Sequence, residues 1–285
     1  MTDLPEARPA RIAARSSGDL VKRVAVAVLG IPVVAWIVAV DPRAAAALLS
    51  AAAIIGCWEY YRLVFGVMPS AAWVGLVAAG LLPLIPAFVA PDRAGLLLFG
   101  GLGATSMLTW TVELFGGRRA DAPERAGHVL GGLLFCSVGL VALSALRAER
   151  DGVGWTAVVL VSAWANDTAA YLVGRAVGRT RLCAAVSPGK TLEGFLGGLA
   201  GGILALLLIR SLLPRDLSGG VCIAIGVLAG LLGPLGDLCK SMLKRAYHVK
   251  DTGHLLPGHG GILDRIDSVL FIAPAVWLFR MLLRR

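Results

Sequence analysis

Charged residues are scarce in this chain, and so are paired cysteines and long polar segments. Of the 285 residues, 16% are charged and 57% are hydrophobic, whereas a soluble domain has about a quarter of its residues charged. This composition excludes a soluble globular protein and predicts an integral membrane protein. The five cysteines form no C-x-x-C pair, which excludes a disulfide framework and a cysteine zinc site. No segment repeats at a fixed period, so an inverted-repeat transporter gains no support.

Apolar segments, in contrast, are plentiful, and nine of them are long enough, or nearly so, to cross about 30 Å of hydrocarbon as helices. We therefore predict an all-α fold, a polytopic integral membrane protein with about nine transmembrane helices. Residues 1–20 form a polar arm, residues 21–150 an N-terminal set of helices, and residues 151–285 a C-terminal set with nearly all of the polar motifs. The predicted spans are 24–40, 44–58, 71–90, 94–112, 126–146, 153–173, 192–213, 219–237 and 264–282.

The net charge of +9 is unevenly distributed across these spans. With nine spans, 18 of the 27 Lys and Arg residues lie on the same side of the membrane as the N-terminus, and 9 lie on the other side. Because basic residues favour the cytoplasmic side, the N-terminus and the loops 174–191 and 238–263 are predicted to be cytoplasmic. The basic excess suits anionic lipid headgroups or nucleotides. We expect no nucleic acid partner for a chain so deeply embedded in a membrane.

A first polar cluster lies at the end of the sixth predicted span. Asn166 and Asp167 interrupt an apolar run, where an unpaired carboxylate is costly. Two Gly-Arg pairs follow, and their spacing of four places Arg175 and Arg179 on one helix face if the helix continues that far. Two interpretations remain open: a functional site, or an arginine pair that reaches the lipid headgroups while Asp167 is neutralised by an arginine.

A second cluster is the segment SPGKTLEG at 187–194. It is not a phosphate-binding P-loop, because the first glycine of that motif would fall on Ala184 and no strand is predicted before it. Ser187, Lys190 and the free amides at the start of the seventh span nevertheless suit an anion. Thr191 is also a typical helix N-cap. Capping does not explain Lys190, since a cation is unfavourable at a helix N-terminus without a partner anion.

A third cluster begins at Asp237 and ends at Asp267. Its stretch 241–267 contains four Lys or Arg, three His and three Asp in an otherwise apolar chain. If the eighth span continues as a helix, Asp237, Ser241 and either Lys244 or Arg245 share one face. That arrangement places a carboxylate near membrane depth and bases nearer the water.

The same cluster continues as a polar loop and the start of the ninth span. The loop contains Lys250 and the sequence PGHGG at 257–261, whose glycines allow the backbone to approach a ligand closely. Asp264 and Asp267, three residues apart, open the ninth span on one face. Together with Asp237 they form a reasonable set of oxygen ligands for Mg²⁺.

Other interpretations explain parts of the third cluster. Asp264 and Asp267 are suited to stabilise the N-terminus of the ninth helix. His248, His254 and His259 offer zinc ligands, although spacings of six and five match no compact helical pair. The bases taken by themselves resemble a patch that binds anionic lipid. None of these explains the acids, bases and glycines together, so we interpret the cluster as a metal–phosphate site.

The motifs of the three clusters together resemble those of the phosphatidate cytidylyltransferase family, the integral-membrane CDP-diacylglycerol synthases. The segments 166–179 and 187–194 are similar to the Asp…Tyr…Gly-Arg and Ser-Pro-x-Lys-Thr-x-Glu-Gly segments of that family. The third cluster matches the family pattern at Ser241-x-Leu243-Lys244-Arg245, Lys250-Asp251-x-Gly253 and His259-Gly260-Gly261-x-x-Asp264-Arg265-x-Asp267. The resemblance covers the C-terminal half, while the N-terminal half agrees only in being a set of transmembrane spans.

This resemblance implies a reaction in which CTP and phosphatidic acid give CDP-diacylglycerol and pyrophosphate, with Mg²⁺ as the cofactor. The implied metal ligands are Asp237, Asp264 and Asp267. The implied catalytic residues are Asp237, Asp264, Lys244, Arg245 and His259. The implied substrate-binding residues are Ser187, Lys190, Ser241, Lys250, Asp167, Arg175, Arg179, Gly260, Gly261 and Arg265.

We accordingly expect a multi-pass protein of the inner cell membrane, in contact with the lipid bilayer, with its active site facing the cytoplasm where CTP is available. Gly194, Gly198 and Gly202 lie four residues apart on one helix face, which favours close packing against another helix. A homodimer through a glycine-lined face is a further expectation. Two alternative functions remain: a CTP-dependent transferase or kinase that acts on a polyprenyl lipid, and an ion-coupled transporter. A transporter predicts polar residues spread across membrane depth, whereas here they concentrate in two loops.

Overall fold

The computed structural model of the protein describes residues 35–116, 119–212, 217–253 and 260–283. Within these ranges, eight helices are long and apolar enough to cross a membrane. This confirms the predicted all-α, polytopic fold class. The polar arm and most of the first predicted span lie outside the described residues, although residues 35–40 are helical.

The helices follow one another through short connections. Two 3₁₀ turns, Leu82–Leu84 and Arg210–Leu212, extend two of them. In chain order the helices are α1 (Pro42–Phe65), α2 (Ser70–Leu81), α3 (Ile85–Phe88), α4 (Pro91–Phe115), α5 (Ala122–Ala148), α6 (Gly152–Val177), α7 (Leu192–Ile209), α8 (Gly219–Ala246) and α9 (Leu263–Leu283).

Side-chain caps fix where several of these helices begin. The carboxylate of Asp41 accepts a hydrogen bond from the amide of Arg43 at 2.5 Å, and Pro42 occupies the first helical position, where a missing N–H costs nothing. At α7, Thr191 Oγ1 accepts a hydrogen bond from the amide of Gly194 at 3.1 Å. The predicted capping role of Thr191 is therefore confirmed.

A small antiparallel hairpin precedes α7, and the sequence did not predict it. Its strands are β1 (Arg181–Cys183) and β2 (Ser187–Thr191), and Cys183 pairs with Ser187. The segment 187–194 is thus a strand that runs directly into a helix, where we had expected a turn. The hairpin fixes the register of Lys190 relative to the start of α7.

A stripe of glycines packs α7 against α6. Gly194, Gly198 and Gly202 are all buried in α7. A Cβ atom on Gly198 would lie 2.9 Å from the Cβ atom of Ala170 in α6, closer than real Cβ contacts. The predicted role in helix packing is confirmed, and this face is covered within a single chain.

The two halves of the chain share one apolar core. Gly139 of α5 lies directly against the backbone of Leu270 in α9, so that a Cβ atom there would collide with it. Tyr61 of α1 donates a hydrogen bond to the carbonyl oxygen of Val129 in α5 at 2.7 Å. These contacts place the start of α9 beside the C-terminal end of α1.

Because successive spanning helices alternate in direction, the hairpin and the α8–α9 connection emerge at the same end of the bundle. Contacts between them agree with this arrangement. Arg245, near the end of α8, donates a hydrogen bond to the carbonyl oxygen of Val186 in the hairpin at 3.3 Å. The polar motifs predicted in two separate loops therefore meet at one membrane face.

Candidate active site

A polar cavity of about 460 Å³ opens at this end of the bundle. It is enclosed by α6, the hairpin, α7, α8 and the first turns of α9, so all three sequence clusters contribute to it. Its charged lining residues are Asp167, Arg175, Lys190, Asp237, Lys240, Asp264 and Asp267. Apolar and aromatic side chains, among them Tyr171, Leu182 and Phe195, line the rest.

The three carboxylates predicted as metal ligands surround a lysine that the sequence analysis did not select. Lys240 is 6% exposed. Its Nζ atom lies 3.0 Å from Asp237 Oδ1, 3.6 Å from Asp264 Oδ1 and 2.5 Å from Asp267 Oδ2. A buried ammonium group is strongly destabilising unless it is paired, and here three anions share it. The acids do converge, as predicted, and Lys240 lies at their centre.

The local sequence explains how Lys240 reaches the acids of α9. The helix α8 continues to Ala246, as predicted, so Asp237, Lys240 and Lys244 share one face at spacings of three and four. Gly236 lies so close to the carbonyl oxygen of Asp267 that a Cβ atom there would collide with it. This glycine lets α8 and α9 approach closely enough for the lysine to bridge them.

Lys190 brings a second cation to the cavity from the hairpin. Its Nζ atom lies 2.7 Å from Asp237 Oδ2 and donates a hydrogen bond to the carbonyl oxygen of Pro234 at 3.3 Å. Asp237 is therefore held between two lysines. Its side chain is 31% exposed, which makes it the most exposed of the three predicted metal ligands.

Asp167 and Arg175 line the opposite wall on α6. Asp167 accepts a hydrogen bond from Ser268 Oγ at 3.2 Å, so a hydroxyl group on α9 holds it, where one interpretation expected an arginine. Arg175 donates to Tyr171 Oη at 3.2 Å. The suggestion that Arg179 shares a helix face with Arg175 is wrong, because α6 ends at Val177.

Asp264 is fixed by donors on both of its oxygen atoms. Its Oδ1 atom pairs with Lys244 Nζ at 2.8 Å. Its Oδ2 atom accepts hydrogen bonds from the amide of Thr252 at 3.0 Å and from the amide of Gly261 at 3.3 Å. Gly260 has a φ of +77°, the left-handed conformation that favours glycine. The two glycines thus wrap the loop around a carboxylate of the protein itself.

Several predicted catalytic and substrate-binding residues lie outside the cavity lining as the described residues define it. Arg245 contacts the hairpin backbone, while Lys250 and Arg265 are exposed. His259 lies outside the described residues. Lys244 is also absent from the lining, although it contacts the lining residue Asp264. The other predicted residues outside the lining are Ser187, Ser241, Arg179, Gly260 and Gly261.

The three predicted metal ligands surround Lys240 and do not by themselves form a metal site, so their fit to Mg²⁺ depends on a substrate that completes the coordination. Among the described residues, no three His, Cys, Asp or Glu side chains form a group able to hold a metal ion. Mg²⁺ in nucleotide sites is usually bound by one or two carboxylates and completed by phosphates and water. Carboxylates beside lysines at one cavity wall meet that requirement, and they also suit the binding of two phosphate-bearing molecules.

Comparison with known proteins assigns this chain to a family. The chain matches the cytidylyltransferase family over residues 21–283, and it belongs to that family. It is 34% identical to the phosphatidate cytidylyltransferase of Brucella suis over 209 residues, which are 73% of this chain and 72% of the relative. Identity to the phosphatidate cytidylyltransferase of Staphylococcus epidermidis is 32% over 204 residues, 70% of this chain and 76% of the relative. The resemblance inferred from the motifs is confirmed.

Proposed function

We propose that this protein transfers the cytidylyl group of CTP to phosphatidic acid and releases CDP-diacylglycerol and pyrophosphate. The similar proteins described above carry that activity in their names. The observation that carries the proposal is the cavity at the end of the membrane helices, where Lys190, Lys240 and Arg175 face four aspartates. Such a site brings a water-soluble nucleotide and a lipid phosphate together at the membrane surface.

The proposed chemistry requires positioning and charge neutralisation more than a strong base. An oxygen atom of the phosphatidate phosphate attacks the α-phosphorus of CTP, and the bond from that phosphorus to the bridging oxygen of pyrophosphate breaks. The nucleophile is already anionic, so no proton must be removed from it. Phosphoryl transfer of this kind depends on cations that offset the charges of both substrates. Lys190, at the open wall beside Asp237, is suited to one of the phosphates.

We propose Mg²⁺ as the cofactor, with Asp237 as its principal protein ligand. When bound, Mg²⁺ supplies positive charge to phosphate oxygens and helps to orient them. The reason for choosing Asp237 is exposure: its side chain is 31% exposed, against 7% for Asp264 and 10% for Asp267. A bound ion would share this carboxylate with Lys190 and Lys240. The protein's own part is to hold these acids apart from one another and in a fixed orientation.

We further propose that the protein lies in the inner cell membrane with the cavity facing the cytoplasm. With the nine spans predicted from the sequence, the side of the membrane that carries the cavity also carries 18 of the 27 Lys and Arg residues, as the positive-inside rule requires of a cytoplasmic side. CTP is a cytoplasmic metabolite, so this orientation gives the site access to its substrate.

Position-specific labels on CTP test the proposal against the alternative kinase. Purified protein in detergent is supplied with Mg²⁺, phosphatidate or a polyprenol, and CTP labelled with ³²P at either the α- or the γ-phosphate. We expect lipid-soluble label only from α-labelled CTP with phosphatidate, accompanied by pyrophosphate. Label from γ-labelled CTP in the polyprenol would identify a kinase, and absence of lipid-soluble label in every combination would overturn the enzyme proposal.

Variants of the acids test the assignment of the site. Asp237→Asn and Asp264→Asn are each expected to abolish turnover, because each removes a negative charge that faces the cavity. The control is Asp92→Asn, which changes the same side chain where it is 74% exposed at the start of α4. Near-normal activity in a folded Asp237 or Asp264 variant would remove that residue from the site.

A further inference from the structure

Glu59 lies on α1, in the half of the chain without recognised motifs, yet its carboxylate contacts the start of α9. It is 1% exposed. Its Oε1 atom accepts a hydrogen bond from the amide of Ile262 at 2.9 Å, and its Oε2 atom accepts one from the amide of Leu263 at 3.0 Å. The first amides of a helix lack partners within the helix. Glu59 therefore caps α9 from a position more than 200 residues earlier in the chain.

Thr252 links this carboxylate to the active site. Its Oγ1 atom lies 3.2 Å from Glu59 Oε2 and 3.1 Å from Asp264 Oδ2, and its amide donates to the same Asp264 oxygen at 3.0 Å. A hydroxyl group has one proton and donates to one carboxylate at a time. The two acids thus share one hydroxyl, and the position of Asp264 depends on where Glu59 holds Thr252.

Gly253 and Gly261 fit tightly against the Glu59 side chain. A Cβ atom on Gly253 would lie 2.8 Å from the carboxyl carbon of Glu59, and one on Gly261 would collide with both Glu59 and Thr252. Close packing of this kind leaves little freedom on either side of the carboxylate. The two glycines therefore pack against α1, the helix whose Glu59 also caps α9.

The contacts of Glu59 are unusual for a buried acid. In the described part of the chain, its hydrogen bonds go to Thr252, Ile262 and Leu263, and no cation pairs with it. Burying a carboxylate without a counterion is costly. The amides of Ile262 and Leu263 each donate to a different oxygen of Glu59, an arrangement that requires two acceptor oxygens and that a carboxylate provides.

We propose that Glu59 is a positioning residue for the active site: it fixes Thr252 and the first amides of α9 and so holds Asp264 against Lys244 and Lys240 at the cavity wall. This inference rests on the proposed function. Glu59 does not itself line the cavity as the described residues define it, so its effect is on catalysis through Asp264 and not on contact with a substrate.

The test uses side chains of matched size. Glu59→Gln replaces one acceptor oxygen with a donor that faces an amide or a hydroxyl, and Thr252→Val removes the shared hydroxyl without changing the shape. Each is expected to lower kcat about tenfold, as the loss of one well-made hydrogen bond does, while the KM for phosphatidate stays within about twofold. Thr252→Ser keeps the hydroxyl and is expected to retain most of the wild-type kcat.

Glu113→Gln is the matched control, because Glu113 is a second buried glutamate in the N-terminal half. It lies on α4 and pairs with Arg125 of α5 at 2.5 Å. This variant is expected to lower the melting temperature in detergent while kcat remains at the wild-type level. If Glu59→Gln also lowers only the melting temperature, or if Thr252→Ser is as impaired as Thr252→Val, the positioning role is overturned.

A second readout does not depend on turnover. Lys250 is exposed at the start of the loop that Glu59 holds, so trypsin cleavage after it reports how firmly the loop is seated. We expect cleavage to be about fivefold faster in Glu59→Gln than in the wild type, with no change in Glu113→Gln. An unchanged rate overturns the inference even if the wild type turns over its substrates. Lack of turnover by the wild type, with faster cleavage in Glu59→Gln, instead overturns the proposed function.

Discussion

Lys240 carries a positive charge into a part of the protein where three carboxylates would otherwise repel one another. Its Nζ atom contacts Asp237 and Asp267 within 3.0 Å. Removing one partner of a buried ion pair costs more than the pair itself contributes, because the remaining charges stay buried without compensation. Removing Lys240 would leave three carboxylates without that compensating charge. Lys240 is therefore central to the stability of the site as well as to its charge balance.

At the residue scale we predict that Lys240→Met lowers the free energy of unfolding in detergent by about 3 kcal/mol or more. Methionine keeps most of the length and volume of lysine, so the change is mainly one of charge. The measurement is denaturant unfolding followed by circular dichroism. Arg93→Met, at an exposed arginine, is the control and is expected to change stability by less than about 0.5 kcal/mol.

Mg²⁺ supplies a further check on the same variant. With the ammonium group removed, the carboxylates around its position are free to bind a divalent cation. We therefore expect Mg²⁺ to raise the melting temperature of Lys240→Met more than that of the wild type. An equal effect of Mg²⁺ on both proteins, together with wild-type stability of the variant, would contradict the central role of Lys240.

Sequence reasoning located the acids and two lysines that contact them, Lys190 and Lys244, but not Lys240 or Glu59. Asp237, Asp264 and Asp267 stand out as charges in apolar surroundings, and each lies at the cavity. Lys240 had a usable signal, since it follows Asp237 by three residues on the face shared with Lys244. Glu59 also interrupts an apolar span, but its partners are more than 200 residues away and no local pattern identifies them.

At the element scale, the contact of α6 with α7 depends on the absence of side chains. Each buried glycine in the stripe of α7 allows the two helix backbones to approach, which is the usual way in which helices associate in a membrane. The same contact brings Asp167 on α6 and Lys190 in the hairpin to one cavity. The glycine stripe thereby sets the width of the site.

We predict that Gly198→Ala destabilises the protein and lowers activity, because the added methyl group would overlap Ala170 and Asn166 and push the two helices apart. The matched control is Gly103→Ala in α4, where nothing lies within 4 Å of the added Cβ atom. There the substitution is expected to be neutral or to stabilise by up to about 1 kcal/mol. Melting temperatures in detergent distinguish the two, and equal values would refute the packing argument.

The hairpin is the element that the sequence did not predict. Its strands have only three and five residues, and β2 contains Pro188 and Gly189, which normally argue against a strand. Both strands contact α7, and a strand whose pairing depends on such non-local packing leaves little local signal in the sequence. Thr191 is both the last residue of β2 and the N-cap of α7. The predicted cap is therefore correct, whereas the turn predicted before it is a strand.

On the scale of the whole molecule, the helices place every polar cluster at one membrane face. The predicted orientation is testable with cysteines at opposite ends of the bundle, after the partly exposed Cys183 and Cys239 are replaced by serine. Gly189→Cys lies in the hairpin where nothing is within 4 Å of the new side chain. Asp92→Cys lies at the start of α4, at the other end of the bundle.

We expect a membrane-impermeant maleimide to label Gly189→Cys in inside-out vesicles and Asp92→Cys in right-side-out vesicles. The reason is the excess of basic residues on the side that carries the cavity. The opposite labelling pattern would place the cavity away from the cytoplasm and contradict the orientation, although it would leave the site itself intact.

The distribution of the site's partners along the chain has a consequence for its biogenesis. Lys240 lies on α8, and two of its three counterions lie on α9. Glu59 lies on α1 and accepts hydrogen bonds from amides at the start of α9. During synthesis, α1 and α8 therefore enter the membrane before the groups that neutralise or cap them exist. Insertion of α9 completes both arrangements in a single step, so a nascent chain acquires its active site only when α9 is in place.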